Sequence, residues 1–215
     1  AMDLRDAVSY MPHHVTCKAV DGDELGDCDI LVVAIGKTRQ PGQTRLDMLA
    51  DSVEECKKLI KVIQHSGFDG IIISITNPCD VITEYLARKL NWPQNHIIGT
   101  ALDSARLQMQ LSEQLNVNRR SVTAYVLGEH GDSSMVPWSH VTVCGKPIRE
   151  LLEENPDKYH MDSFEEVVYK VHRGGYFENA NKGCTEFGVS SSTAELIRAI
   201  FHNEHKILPC STWLN

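Results

Sequence analysis

The hydrophobic positions in the first part of the chain follow two different patterns. Continuous apolar runs occur at residues 29–36 (DILVVAIG), 68–77 (FDGIIISITN) and 96–99 (HIIG). Runs without polar alternation are typical of strands that are buried on both faces of a parallel sheet. Residues 46–65 and 79–90 lie between these runs and read as helices with an apolar stripe. The order strand, helix, strand, helix, strand predicts a doubly wound α/β sheet.

Beyond residue 100 the pattern changes, and predicted helices occur together with predicted antiparallel strands. Helices are predicted at 102–115, 162–173 and 190–204, and the stretch 173–183 (RGGYFENANKG) is predicted to separate the last two. Antiparallel strands are predicted at 121–128 and 138–148, and a final strand at 206–215. The change of pattern predicts two domains, residues 1–98 and residues 99–215.

The composition narrows the classes of function. With 215 residues, of which 42% are hydrophobic, the chain can bury a substantial core. A formal net charge of -8 argues against nonspecific nucleic-acid binding. No apolar run approaches the roughly 20 residues that span a bilayer, and the N-terminal segment has no apolar signal-peptide core. We therefore expect neither a nucleic-acid partner nor a membrane partner.

The cysteines argue against a metal site and for a reducing compartment. All 7 are scattered along the chain and none form a C-x-x-C pair, which argues against a cysteine zinc site. The nearest metal-like pattern, HNEH at 202–205, matches no common ligand motif. We predict no metal, and reduced thiols in a cytoplasmic protein.

The turn at residues 128–134 (GEHGDSS) carries the first candidate for chemistry. Glycines and small polar residues suffice for a turn, so His130 needs a separate explanation. Taken alone, a histidine near a turn is usually structural. Asn77 follows a buried strand, and ligands of open α/β sheets bind beyond the carboxyl ends of such strands. Asn77 is therefore placed for ligand binding.

Three further features point to a site, although each has an ordinary structural explanation. The loop after the first strand contains Arg39 and Arg45, which suit capture of an anionic substrate but also fit a solvated basic loop. Asp103 and Arg106 are three residues apart and share one helix face, either as a site or as a cap with a surface ion pair. Thr185 precedes a helix, where it can also be a cap or turn residue.

Four segments together resemble one enzyme family. RQPGQTRLDML, NPCDVIT, LDSARLQ and GEHGDSS occur in the order and at nearly the separations found in the NAD-dependent L-lactate/malate dehydrogenases, and the similarity runs over essentially all 215 residues. The resemblance implies a partial Rossmann-type parallel sheet followed by an α+β catalytic domain. It also implies NAD as cofactor, and hydride transfer between NAD(H) and a small L-2-hydroxy acid or 2-oxo acid. A cytoplasmic homo-oligomer, dimer or tetramer, is implied as well.

The resemblance assigns roles to the candidate residues. His130 would be the acid/base that exchanges a proton with the substrate oxygen, and Asp103 would hold its imidazole. Arg106 would bind the substrate carboxylate by a two-pronged contact, and Arg45 would polarise the carbonyl. Hydride addition leaves negative charge on oxygen, which an imidazolium can protonate and a guanidinium can stabilise. The residue types therefore suit the implied reaction.

The remaining assignments concern the pocket and the substrate. Asn77 would contact the substrate or the nicotinamide ribose, and Thr185 would line the substrate pocket. Arg39 stands six residues before Arg45, where lactate-type enzymes usually have Gln and malate-type enzymes Arg. An arginine would pair with a second carboxylate, whereas GEHGDSSMVPWS looks more like the lactate branch. Lactate/pyruvate and malate/oxaloacetate both stay open at this point.

The chain departs from the family pattern in two places. It contains no G-x-G, so the glycine loop that cradles the cofactor pyrophosphate is missing. We therefore expect a fragment that begins within the nucleotide-binding domain, stops before the family's final strands, binds NAD weakly and self-associates. Two residues fewer than in the family separate the third strand from Asp103, a shortening that can shift Asp103 and Arg106.

Two alternatives from other classes stand beside this reading. The first is a non-catalytic remnant that has lost cofactor binding, which the missing glycine loop favours. The second is a serine hydrolase that uses Ser133 or Ser134 beside His130, although the chain has no G-x-S-x-G elbow.

Overall fold

Three parallel strands form the sheet of the N-terminal half. The computed structural model describes residues 2–36, 43 and 46–212, so the predicted lid residues Arg39 and Arg45 lie outside the described residues. The first helix, α1 (Met2–Val8), precedes the sheet and buries none of its residues. The strands are β1 (Ile30–Val33), β2 (Ile71–Ser74) and β3 (Ile97–Gly99), and they neighbour each other in the order β1, β2, β3.

Two helices connect these strands, as the predicted α/β fold class requires. Helix α2 (Leu49–Ser66) joins β1 to β2, and α3 (Cys79–Leu90) joins β2 to β3. Helix α2 ends at Gly67, whose φ of 74° lies in the left-handed region that stops a helix. Ile72 and Ile73 of the central strand are both fully buried although they face opposite sides of the sheet. The sheet is therefore covered on both faces, which explains its continuous apolar runs.

The C-terminal half is built around a small antiparallel sheet and a bundle of helices. Its elements in chain order are α4 (Asp103–Leu115), β4 (Val122–Thr123), β5 (Thr142–Val143), β6 (Lys146–Pro147), α5 (Ile148–Glu154), α6 (Phe164–Lys182) and α7 (Phe187–Phe201). Strands β4, β5 and β6 pair antiparallel in that order. The core between them and helices α4 and α6 includes Leu107, Leu111, Val141, Ile148 and Val167, all at most 1% exposed.

The structure corrects three predictions in this half. The stretch 173–183, predicted as a separator, is helical as far as Lys182, and α7 begins at Phe187 rather than at 190. Each interior glycine destabilises a helix by about 1 kcal/mol. Helix α6 nevertheless continues through Gly174 and Gly175, because burial of Val167 and Val171 in the core stabilises it. The predicted strands 121–128 and 138–148 contain only two-residue strand segments.

The third correction concerns the predicted final strand. In the described part of residues 206–215, only Ser211 pairs with a strand, through a single antiparallel bridge to Gly99. The two residues exchange backbone hydrogen bonds of 2.8 Å in both directions. A side chain at Gly99 would meet Thr83 Oγ1 at 2.5 Å and Cys79 Sγ at 2.8 Å, so only glycine fits this close approach. The chain thus leaves the parallel sheet at Gly99 and returns to it there.

Each half has a core of its own. The buried cluster of the first half draws on residues up to Ile97, and that of the second half begins at Leu107. We propose the domain boundary between 98 and 99, where the sequence predicts it. Among the described residues, no helix combines the length and the apolar character that crossing a bilayer requires.

Candidate active site

His130 and Asp103 form a close hydrogen-bonded pair between the two halves. The imidazole Nδ1 lies 2.5 Å from Asp103 Oδ2, and the two side chains are only 13% and 12% exposed. Asp103 is the first residue of α4, while His130 lies 27 positions further along in a turn. A carboxylate on one ring nitrogen fixes the orientation of the ring. The other ring nitrogen, Nε2, is then the one that can exchange a proton with a ligand. The shortened connection before Asp103 therefore does not keep the pair apart.

The turn that carries His130 is held in place at several points. Leu127 and Met135 exchange backbone hydrogen bonds of 2.8 Å and close the turn at its base. The backbone N–H of His130 donates to Asp80 Oδ2 at 2.8 Å. Ser134 Oγ lies 2.8 Å from His172 Nε2, which ties the other end of the turn to α6. Both halves of the protein thus contribute to the position of the imidazole.

Arg106 lies one helical turn after Asp103, and its side chain is about as buried. Its side chain is 11% exposed, and its Nη1 lies 3.8 Å from Asp103 Oδ1. Its Nη2 donates to Glu178 Oε2 at 3.0 Å, from α6. The buried Nε finds no acceptor among the described residues. The guanidinium is therefore a buried cation with unused donor capacity, as an anion-binding group requires.

Two glycines of α6 make room for this arginine. A Cβ atom at Gly174 would lie 2.7 Å from Arg106 Nε and 2.8 Å from its Cδ. A Cβ atom at Gly175 would lie 3.5 Å from Arg106 Nη2, which is an ordinary contact. The arginine stem thus lies directly against the backbone of α6. The glycine pair, which lies in the stretch 173–183 predicted to separate two helices, instead provides a groove within one helix.

One cavity brings together the predicted residues that the structure describes. Its volume is about 280 Å³, and its wall includes Asn77, Arg106, His130 and Thr185. Asp103 lies behind His130 and lines an adjacent smaller cavity. Residues from the ends of β1 and β2 form one wall, and residues from α6 and α7 form another. The cavity therefore lies at the carboxyl edge of the parallel sheet, where ligands of α/β proteins bind.

The floor of the cavity contains an unpaired amide oxygen and apolar side chains. Asn77 Oδ1 is buried and has no hydrogen-bond partner among the described residues. The peptide between Asn77 and Pro78 is cis, and the Asn77 carbonyl accepts a hydrogen bond of 2.9 Å from Ser52 Oγ. Ile35, Ile75 and Val189 supply apolar surface nearby. A flat ring with one polar edge suits such a surface.

Cys79 also lines the cavity, but its thiol has low reactivity. Cys79 is 3% exposed. Burial, together with the charge of Asp80, raises the pKa of the Cys79 thiol to about 12. The thiol therefore stays protonated at neutral pH and is a poor nucleophile. Among the described residues, no group of three or more His, Cys, Asp or Glu side chains could hold a metal ion.

The serine hydrolase alternative finds no support in this geometry. Ser133 Oγ donates to Glu129 Oε2 at 2.5 Å, and Ser134 Oγ pairs with His172. Neither serine hydroxyl is hydrogen-bonded to His130, as a nucleophile and its base would be. The site thus combines a hydrogen-bonded His130–Asp103 pair with the buried guanidinium of Arg106.

Comparison with known sequences identifies the family. The family model described as lactate/malate dehydrogenase, NAD binding domain, matches residues 1–99, and the model described as lactate/malate dehydrogenase, alpha/beta C-terminal domain, matches residues 100–215. L-lactate dehydrogenase 3 of Bacillus anthracis is 38% identical over 217 residues, which cover 100% of this chain and 69% of that protein. L-lactate dehydrogenase of Fusobacterium nucleatum is 36% identical, with coverage of 100% and 68%. The chain belongs to the lactate/malate dehydrogenase family, as the resemblance of its motifs predicts.

Solved structures agree with this assignment. The minor L-lactate dehydrogenase from Enterococcus mundtii in its ligand-bound form is 34% identical and superposes with a TM-score of 0.92, covering 100% of this chain and 69% of that chain. The malate dehydrogenase from Aeropyrum pernix is 27% identical, with a TM-score of 0.89 and coverage of 100% and 68%. The likeness extends to both halves of the protein.

Several residues of the site are not apparent from the sequence patterns. Asp80 and Glu178 contact His130 and Arg106 across 50 and 72 positions, respectively. The Ser134–His172 pair spans 38 positions. No local spacing connects residues this far apart. The adjacent glycines at 174 and 175 are the one visible signal, because glycine is unfavourable inside a helix and can mark a close contact.

Proposed function

We propose that this protein is an NAD-dependent oxidoreductase that transfers a hydride between NAD(H) and a small L-2-hydroxy acid or 2-oxo acid. The observation that carries the proposal is the His130–Asp103 pair of 2.5 Å, which opens onto the cavity that also exposes Arg106. A proton donor beside a buried cation suits a substrate that has a carbonyl next to a carboxylate. Family membership supports the same chemistry.

In this proposal His130 moves the proton. The ring donates its Nδ1 proton to Asp103, which leaves Nε2 to protonate the ketone oxygen during reduction and to accept the proton during oxidation. Asp103 stabilises the imidazolium and keeps the ring in one orientation. Its low exposure of 12% strengthens this interaction relative to a surface pair. The positive charge near the ketone oxygen is thus available before the oxygen becomes negative.

Arg106 holds the substrate carboxylate in this proposal, and the cavity wall orients the rest. The Nε of Arg106, which has no acceptor among the described residues, and the terminal nitrogens together suit a bidentate contact with a carboxylate. Thr185 and Asn77 both line the cavity, whose volume of about 280 Å³ limits the substrate to a small size. Arg45 would polarise the carbonyl from the lid, outside the described residues.

The residues present fit the nicotinamide end of the cofactor. The apolar side chains of Ile35, Ile75 and Val189, which line the cavity, suit a ring face, and Asn77 Oδ1 offers an acceptor to the ribose. When bound, the reduced nicotinamide supplies the hydride. The chain has no G-x-G for the pyrophosphate, so these residues account for one end of the cofactor only.

The finer assignments belong to the same proposal. Arg39 favours malate/oxaloacetate, because an arginine at that lid position pairs with a second carboxylate. The relatives reported above are named L-lactate dehydrogenases, which favours lactate/pyruvate. We propose that the protein acts on one of these two pairs, in the cytoplasm, as a homo-oligomer.

A non-catalytic remnant is the second candidate function. The 215 residues contain no G-x-G, so binding of NADH by the full-length protein decides between this candidate and the oxidoreductase. Such a protein would keep the fold and the carboxylate-binding cavity while binding no cofactor.

His130→Ala in the full-length protein tests the proposal. We expect reduction of pyruvate or oxaloacetate to fall by about 10²- to 10⁴-fold in kcat, because the proton donor is lost. The dissociation constant for NADH, measured by calorimetry, should change little. His65→Ala, an exposed histidine on α2, is the matched control and should leave kcat unchanged. An unmodified protein that neither binds NADH nor oxidises it would instead identify a remnant.

A further inference from the structure

The guanidinium of Arg106 already has a carboxylate bound to it. Glu178 Oε2 accepts a hydrogen bond of 3.0 Å from Nη2. Asp103 Oδ1 lies 3.8 Å from Nη1, on the side of the proton-transfer pair. An arriving carboxylate that contacts both terminal nitrogens therefore meets one that already donates to a protein carboxylate.

We propose that Glu178 is a resident counter-ion for Arg106, and that a bound 2-oxo acid displaces it. Glu178 thereby lowers the affinity of the site for its substrate. This inference rests on the proposed function, since it concerns the group that would bind the substrate carboxylate. It adds a specificity-determining residue that does not lie in any of the recognised motifs.

Exposure decides which of the two partners can move. The side chain of Glu178 is 46% exposed, whereas that of Arg106 is 11% exposed. A released Glu178 can return to water by a change of side-chain rotamer, with little loss of solvation. Arg106 lacks this freedom, because its stem lies against the backbone of α6 at Gly174. Exchange of carboxylates on a fixed guanidinium is therefore the low-energy route.

The charge balance points in the same direction. A buried guanidinium without a counter-ion is unfavourable, so Glu178 stabilises the protein before substrate arrives. If Glu178 stayed in place, the substrate carboxylate would join two protein carboxylates around one cation. Repulsion among three like charges disfavours that arrangement. Displacement keeps two carboxylates at the guanidinium in both states.

An orienting role for Glu178 is the opposite possibility, and it predicts an effect of opposite sign. If Glu178 aligned Arg106 for the substrate and stayed bound, its neutralisation would weaken substrate binding. If Glu178 competes with the substrate, its neutralisation strengthens binding. The direction of the change therefore separates the two roles.

The test uses the chemical accessibility of Arg106. The full-length protein is treated with phenylglyoxal, which modifies arginine side chains, and modification at Arg106 is followed by mass spectrometry. Oxamate, an unreactive 2-oxo acid analogue, is titrated as protectant with NADH present. In Glu178→Gln we expect Arg106 to be modified faster, and half-protection to need about two- to fivefold less oxamate than in the unmodified protein, as for a partly exposed ion pair.

The matched control is Glu165→Gln, an exposed glutamate on the same helix. It removes the same charge from α6 and should change neither the modification rate nor the oxamate requirement. In parallel, Glu178→Gln should lower KM for the 2-oxo acid by the same factor, and any change in kcat should be the smaller of the two. A KM effect that exceeds the kcat effect is expected for a contact that the bound substrate has already replaced.

The outcomes separate this inference from the proposed function. An unchanged or higher oxamate requirement in Glu178→Gln overturns the counter-ion role, even if the enzyme is fully active. Tighter protection in Glu178→Gln, in a protein that reduces no 2-oxo acid, supports the counter-ion role and contradicts the proposed function. Equal effects of Glu178→Gln and Glu165→Gln would reveal only general electrostatics and overturn the inference as well.

Discussion

The carboxylate of Asp80 accepts the backbone N–H of His130 at 2.8 Å. Asp80 lies in the first turn of α3, three residues after Asn77, which lines the cavity. His130 therefore has one carboxylate on its ring and another on its backbone. The segment at the start of α3 thus provides both Asn77, which lines the cavity, and the carboxylate that positions the acid/base of the proposed reaction.

Asp80→Ala should lower kcat by about 10- to 100-fold, because the N–H of His130 loses its acceptor in a poorly hydrated site and the turn can shift. Asp80→Asn keeps a carbonyl oxygen at the same distance and should restore most of the activity. Steady-state kinetics give kcat for both variants, and thermal melting shows whether each variant is folded. If Asn were as damaging as Ala, charge rather than position would explain the role of Asp80.

Gly174→Ala should raise KM for the 2-oxo acid several-fold, because the added methyl group would lie 2.7 Å from Arg106 Nε and must displace the guanidinium. Gly175→Ala is the matched control, since its methyl group would lie 3.5 Å from the nearest atom. That second change should raise the free energy of unfolding by about 0.5–1 kcal/mol through helix propensity. Steady-state kinetics and denaturant titration test the pair, and an equal KM for both variants would argue against the groove.

Arg39→Gln should shift kcat/KM from oxaloacetate toward pyruvate. In a closed and dehydrated lid, an arginine gains from a second substrate carboxylate and is left unpaired by pyruvate. We expect a change in the ratio of the two kcat/KM values of about tenfold or more, which corresponds to roughly 1.4 kcal/mol. A preference for pyruvate in the unmodified protein would show that Arg39 does not select the substrate.

Iodoacetamide should label the exposed Cys28 and Cys144 in the folded protein and leave Cys79 unmodified. The pKa of Cys79 is raised to about 12 from an ordinary 9.0, so its thiolate stays scarce even at pH 9. Because the unfolded thiol ionises first, the contribution of Cys79 to stability should decrease as the pH rises above 9. Mass spectrometry of labelled peptides, with and without denaturant, measures this. Early modification of Cys79 would indicate that the cavity floor opens readily.

The sequence predicts the parallel sheet well because the strands and helices of the sheet depend on residues that are close together along the chain. Strands covered on both faces need continuous apolar runs, and the runs at 29–36, 68–77 and 96–99 each contain one strand. The helix predicted at 79–90 matches α3 residue by residue, since Pro78 precedes it and Asn91, with a φ of 53°, ends it. These signals depend on neighbours along the chain.

The rest depends on contacts that no local pattern contains. The helix continues through residues 173–182 because α6 packs against α4 and against the stem of Arg106. The sequence of this stretch does not contain these contacts, so its glycines favour a break that the structure does not have. The proximity of His130 and Asp103 is expected from family motifs, but their spacing of 27 residues alone predicts nothing. The contacts of Asp80 and Glu178 require the folded structure.

The bridge between Gly99 and Ser211 has a consequence for protein engineering. Paired residues of neighbouring strands lie roughly 5 Å apart, so the segment 100–210 begins and ends at almost the same point. Adjacent ends are the geometric condition for circular permutation and for transfer of a segment between scaffolds. A short linker across this bridge, with new termini placed in an exposed turn, would keep His130, Asp103 and Arg106 within one continuous polypeptide.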